Sequence, residues 1–172
     1  MLKACIESVE SQSCKDFQHI LIREDQGAKG YGILAAEAAL KKPWPIQARY
    51  VMVLDDDNML VDMDFVRIFK ALVDKDNPDI VFFRSFIKSL GIMPSLDRWR
   101  KPPECGFIDY FCYALRTEFR DKYINDVPVA QNQDFLLIEK CYQNTTAVLW
   151  LDRFVARTQD LPARTRPQED LP

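Results

Sequence analysis

A single histidine in 172 residues, His19, leaves little with which to build an imidazole metal site or a Ser-His-Asp triad. His19 falls in Phe17 to Ile22, a short apolar segment that reads as a strand, and a structural role suits it better than catalysis. The five cysteines, Cys5, Cys14, Cys105, Cys112 and Cys141, are odd in number and widely spaced, with no CxxC pair. They fit reduced, mostly buried thiols better than a disulfide frame or a zinc site. No stretch approaches the roughly 20 apolar residues of a membrane span, and neither end carries a signal-like apolar run. A cytoplasmic protein without a transmembrane segment, at most peripheral at the inner membrane, is expected. There is no excess of base either. Lys and Arg total 23 against 26 Asp and Glu, a net charge of -3, which argues against a nucleic-acid-coating protein. No internal repeat is present.

What the chain does have is apolar mass. Hydrophobic residues make up 48% of it, enough for one domain with a substantial core, expected over residues 1–160 and followed by a flexible, proline-rich tail over 161–172. Leu2, Cys5, Ile6 and Val9 follow i, i+3, i+4, i+7 spacing and predict an opening amphipathic helix. After the Phe17-to-Ile22 segment, Gly27, Gly30 and Gly32 loosen a loop before an alanine-rich helix, Ile33 to Lys41, which Pro43 and Pro45 stop. A strand, Tyr50 to Leu54, and a helix from about Asp64 to Asp74 come next. Ile80 to Phe83 reads as a buried strand. Ser89 to Gly106 is irregular and proline-rich, a pattern often met in binding loops. Further strands are expected within Phe107 to Leu115 and Val148 to Arg157, and helices over Thr117 to Tyr123 and Asn132 to Tyr142. Alternating strands and helices predict an α/β/α sandwich of Rossmann-like class with a mostly parallel central sheet. In such sheets ligands bind beyond the carboxyl ends of the strands.

The segment Val51-Met52-Val53-Leu54-Asp55-Asp56-Asp57-Asn58 carries the strongest chemical signal. Three carboxylates in succession repel one another and are costly to bury, and a cation is a common reason to gather them. On an extended backbone Asp55 and Asp57 share one side and Asp56 takes the other. The outer pair can reach one hard divalent ion, or an ion together with the phosphates it holds. A polar strand end followed by a turn explains the same triplet.

The order strand, Asp25, Gly-rich loop, helix, strand, acidic triplet, helix, strand resembles the family-2 glycosyltransferases of the GT-A fold. The resemblance rests on Cys5-Ile6-Glu7-Ser8-Val9-Glu10-Ser11-Gln12-Ser13, on His19-Ile20-Leu21-Ile22-Arg23-Glu24-Asp25, and on Tyr50 through Asn58, which looks like the DXD segment of that family. It covers about the first 85 residues well and the remainder loosely. Relative to the family pattern the chain starts in the helix after the first strand, so that strand is expected to be missing and the nucleotide pocket only partly built.

The resemblance implies inverting transfer of a sugar from a nucleotide-diphosphate donor, with UDP sugars favoured, to a glycan or other hydroxyl acceptor, aided by Mg2+ or Mn2+. It implies Asp25 at the nucleotide base or ribose, Asp55 near the ribose and metal, Asp57 on the metal, and Asp56 beside them in the donor segment. Asp134 matches the acidic residue at the start of a late helix that would act as base, with Asp109 second. Arg116 is a possible diphosphate contact, and Trp99 and Tyr110 are aromatics able to stack on a sugar. Where many such enzymes have a histidine on metal or diphosphate, this chain offers only Arg157. A homo-oligomer is compatible with this reading.

Two other readings fit parts of the sequence. One is a truncated, non-catalytic GT-A module kept for binding or assembly. The other is a phosphatase of the haloacid-dehalogenase type, which also places Asp-x-Asp after an apolar strand. That chemistry wants the motif near the N-terminus and Thr or Val two residues after the second Asp, where this chain has Met59.

Overall fold

A computed structural model of the protein describes residues 1–22, 48–128 and 132–159. The predicted Gly-rich loop, the alanine-rich helix, Asp25 and the tail over 161–172 lie outside the described residues. Helix α1, Leu2–Glu10, opens the chain. Strands β1, Tyr50–Val51, and β2, Asn58–Leu60, flank the acidic triplet, and helix α2, Phe65–Asp76, follows. Strand β3 is Ile80–Ile87, and β4, Gly91–Met93, folds back on it. A 3-10 turn over Tyr110–Cys112 leads into β5, Tyr113–Arg116, then helix α3, Thr117–Tyr123, helix α4, Gln133–Tyr142, and strand β6, Val148–Thr158.

These strands form one sheet in the order β1-β5-β3-β6-β2, with β4 added to β3. Alternation along β3 builds a core on each face. Ile80 and Phe82 point into one cluster with Tyr113 and Leu115, closed by Phe119 and Tyr123 of α3 and by Leu137, Ile138 and Cys141 of α4. Val81 and Phe83 point the other way, against Phe65 and Val73 of α2, Val155 of β6 and Val9 of α1. Helices on both faces make the expected α/β/α sandwich.

The direction of the strands corrects the expectation of a mostly parallel sheet. Among the described residues only β3 and β6 run parallel, with Phe82 opposite Trp150, whereas β1–β5, β2–β6, β3–β4 and β3–β5 are antiparallel. A continuous apolar run signals a strand buried on both faces, which a central strand of a mixed sheet satisfies equally well. Phe17 to Ile22 forms no strand, so His19 is not a strand residue. All five cysteines are free, with Cys5, Cys112 and Cys141 buried. No helix among the described residues is long and apolar enough to cross a membrane.

The acidic crevice and its relatives of known structure

The acidic triplet is a turn. The Asn58 N–H donates to the Asp55 carbonyl at 3.0 Å, closing a four-residue turn with Asp56 and Asp57 at its corners. The backbone reverses there and returns as β2, so the extended-strand argument for a shared side of Asp55 and Asp57 does not apply. Chain reversal brings the carboxylates together instead. The Asp55 carboxyl is pushed up to about 6, first by desolvation and then by the charges of Asp57, Asp56 and Asp134. Water still reaches Asp55 at the rim of the crevice, so its charge is crowded by protein without being sealed off.

Helix α1 holds this turn from beneath. The Cys5 thiol lies 3.5 Å from the Asp55 carbonyl, to which it donates. The Ser8 hydroxyl accepts the Leu60 N–H at 3.0 Å. Gln12, only 1% exposed, donates to the Asp62 carbonyl at 2.7 Å and accepts the Val66 N–H at 3.1 Å. Cys5 and Ser8 on the buried stripe of α1, with Gln12 just past its end, were a signal in the sequence that this face meets backbone rather than a plain apolar core. Burial, followed by the Asp56, Asp55 and Asp57 charges, pushes the Cys5 thiol up to about 11, so it is a protonated donor and not a nucleophile.

Two further carboxylates enter the crevice from distant segments. Asp109 begins the 3-10 turn, its carboxylate accepting the Tyr110 N–H at 2.6 Å. Desolvation, followed by the charges of Asp134 and Asp55, pushes the Asp109 carboxyl up to about 7. Asp134 stands in the first turn of α4, where the helix dipole favours an anion. Burial nonetheless raises its proton affinity above the ordinary value. Asp55, Asp109 and Asp134 are thus linked electrostatically, and Asp57 acts on both Asp55 and Asp109. Such groups titrate as a set.

The remaining predicted site residues divide. Tyr110 is 8% exposed, its ring packed 6.2 Å from that of Tyr113. Burial of the ring rules out stacking on a sugar, and its buried hydroxyl has no hydrogen-bond partner. Trp99 has its face under the Arg84 guanidinium, 4.4 Å from the ring centre, and its edge against Trp150. It pins the loop after β4 to the sheet rather than presenting an open face. A shallow recess beneath that loop is lined by Phe82, Lys101, Phe107, Trp150 and Ile108, the neighbour of Asp109. Arg116 is not part of the crevice. It pairs with Tyr50 at the start of β1 and forms an ion pair with Asp79 before β3, 2.5 Å away. That is the opposite end of the sheet from Asp55, because β5 runs antiparallel to both neighbours. Arg157 lies opposite Met59, one residue beyond Asn58 at the end of the acidic turn.

As for metal, among the described residues no group of three or more His, Cys, Asp or Glu side chains is arranged to hold an ion. Asp55 and Asp57 supply hard oxygen donors, which suit Mg2+ or Mn2+ where phosphate and water complete the shell.

No family model matches this sequence, and no curated protein matches it either. Solved structures do. The chain resembles S. aureus TarS 1-349 with a TM-score of 0.66 at 15% identity, covering 92% of this chain and 56% of that one. TarS 1-349 in complex with UDP gives 0.63 at 14% identity over the same shares. The complex with UDP-GlcNAc gives 0.52 at 15% identity, over 76% of this chain and 39% of that one. The chain therefore spans a little over half the length of the TarS structure it resembles. The likeness shows the fold: the sandwich is of the GT-A type, a Rossmann-like α/β arrangement. It lends nothing to the phosphatase reading.

Proposed function

We propose that this chain is a glycosyltransferase domain of family-2 type, moving a sugar from a nucleoside diphosphate to an acceptor hydroxyl with inversion. The observation that carries this reading is the electrostatic coupling of Asp55 with Asp57 and Asp134, and of Asp109 with Asp134, Asp55 and Asp57, on a GT-A-type fold. Neighbours of that fold crystallised with UDP and UDP-GlcNAc support the donor class. Asp55 and Asp57 would hold Mg2+ or Mn2+ together with the diphosphate of the donor, and Arg157 is near enough in register to Asn58 to contribute a charge to the phosphates. A bound divalent ion supplies neutralisation of the charge that grows on the leaving diphosphate.

The chain's own carboxylates do the proton work. Asp134, kept basic by burial, takes the proton of the acceptor hydroxyl. The freed oxygen bonds to the anomeric carbon from the face opposite the diphosphate. The carbon–oxygen bond to the diphosphate breaks, and its electron pair leaves with the nucleotide. Asp25, outside the described residues, keeps the role at the base or ribose that the sequence resemblance implies.

The test is isothermal titration with UDP in the presence and absence of Mn2+. Metal-dependent binding that disappears in Asp57→Asn is expected. Equal binding with and without metal, or none at all, overturns the metal-dependent reading. The second reading, a binding module without turnover, draws on the lack of a preassembled metal group among the described residues. Metal-dependent UDP binding without UDP release from any UDP sugar would favour it.

A further inference from the structure

All four carbonyl oxygens of the acidic turn are engaged, and one residue a hundred positions away engages three of them. The Gln159 main-chain N–H donates to the Asp57 carbonyl at 2.7 Å. Its side-chain amide shares two N–H groups among the carbonyls of Asp56 at 3.2 Å, Asn58 at 3.1 Å and Met1 at 3.1 Å. The fourth carbonyl, that of Asp55, accepts the Asn58 N–H and the Cys5 thiol. A turn held by every carbonyl has little freedom left to rotate its peptide planes. The side chains of Asp55, Asp56 and Asp57 inherit that restriction.

Gln159 immediately follows β6, whose Thr158 and Arg157 pair with Asn58 and Met59 on the returning arm of the turn. The β2–β6 ladder sets the register, and Gln159 carries it one residue further, onto the turn corners Asp56 and Asp57. Glutamine suits this place chemically. A carboxylate there would face three carbonyl oxygens without a proton to offer, and an apolar side chain would leave the same three carbonyls without that donor.

We infer that Gln159 is a positioning residue for the donor site: its amide bracket over Asp56, Asp57 and Asn58 holds the acidic turn in the shape that receives a divalent ion with a nucleoside diphosphate. The inference rests on the function proposed above. Gln159 does not touch the ligand. Its side chain acts through the backbone of Asp56 and Asn58, on either side of Asp57, as outer-shell partners act through the ligands they orient.

The experiment compares wild type with Gln159→Met, which keeps length and loses the side-chain donors, and Gln159→Glu, which adds repulsion. UDP affinity is measured by calorimetry across a Mn2+ series, alongside thermal melting of each free protein. Metal-dependent UDP affinity is expected to fall about tenfold in Gln159→Met and further in Gln159→Glu. The Mn2+ concentration for half-maximal UDP binding should rise in step, an effect that mere loss of stability away from the turn would not produce. UDP affinity and Mn2+ requirement in Gln159→Met equal to wild type would overturn the inference while leaving the proposed function standing. No Mn2+-dependent UDP binding by the wild type would overturn both.

Discussion

The Tyr113 hydroxyl donates to the main-chain carbonyl of Asp134 at 2.9 Å. A buried residue of β5, in the centre of the sheet, thereby fixes the first turn of α4 and with it the carboxylate proposed as base. Its ring neighbour, Tyr110, lies 6.2 Å away with a hydroxyl that has no partner. Two buried tyrosines in contact thus differ in one respect, and that difference is measurable.

Tyr113→Phe removes a made hydrogen bond and is expected to cost about 1 kcal/mol, whereas Tyr110→Phe removes an unmade one and should be neutral or stabilising. In a chain of this size the first corresponds to a melting temperature lower by roughly 2–4 °C. Tyr113→Phe should also lower turnover, since the start of α4 is loosened. Thermal melting of both variants checks this; a destabilised Tyr110→Phe would show that its hydroxyl has a partner in the free protein.

The crevice carboxylates set a pH dependence of definite sign. For Asp55, raised to about 6, and Asp109, raised to about 7, the folded protein holds the proton more tightly than the unfolded chain. Their contribution to stability is full below the ordinary value of 3.8 and is lost as pH rises through about 6 and about 7. The free protein should therefore melt at lower temperature at pH 7.5 than at pH 5. Asp109→Asn should raise the melting temperature at pH 7.5 and flatten the slope, and Mn2+ with UDP should flatten it in the wild type. A melting temperature that climbs over this window, unchanged by Asp109→Asn, would contradict the assignment.

How much of this was legible in the sequence depends on the range of the contact involved. Helix α3 begins and ends where its pattern predicted, at Thr117 and Tyr123, because 3.6-residue periodicity is local information. The chemical character of Asp55 to Asp57 was legible for the same reason. The turn was legible only as one of two readings of the triplet, and it is the pairing of Asn58–Leu60 with β6 that shows the chain reverses. Phe17 to Ile22 carried a strand's composition and found no strand partner among the described residues. Arg116 stands at the far end of β5 from the acidic turn, which the sequence could not show because a pattern does not tell strand direction, and direction decides which end of the sheet a residue occupies. Asp109 and Asp134 were found as types of residue; their meeting is a property of the fold.

Arg116 provides a control on that point. Its guanidinium faces Asp79, which is buried and also accepts from the Thr145 hydroxyl at 2.5 Å. Arg116→Gln leaves a buried carboxylate with less compensation and should cost on the order of 2 kcal/mol. UDP affinity should not change, because the pair lies at the far end of β5. Loss of UDP binding at temperatures where the variant remains folded would return Arg116 to the donor site.

The proton-transfer assignment separates Asp134 from Asp109 by kinetics. Both feel the crevice, and each alters the titration of the set, so a pH profile alone does not apportion them. Binding and turnover do. Asp134→Asn keeps the shape of the helix start and removes the proton acceptor, so kcat for transfer should fall about 100-fold or more with UDP affinity retained. Asp109→Asn removes a carboxyl whose own proton affinity is raised by burial and by the Asp134 and Asp55 charges. It should lower turnover less than Asp134→Asn does. If Asp109→Asn abolishes turnover while Asp134→Asn only shifts the profile, the roles exchange: Asp109 is then the base, and Asp134 supplies the charge that keeps it basic.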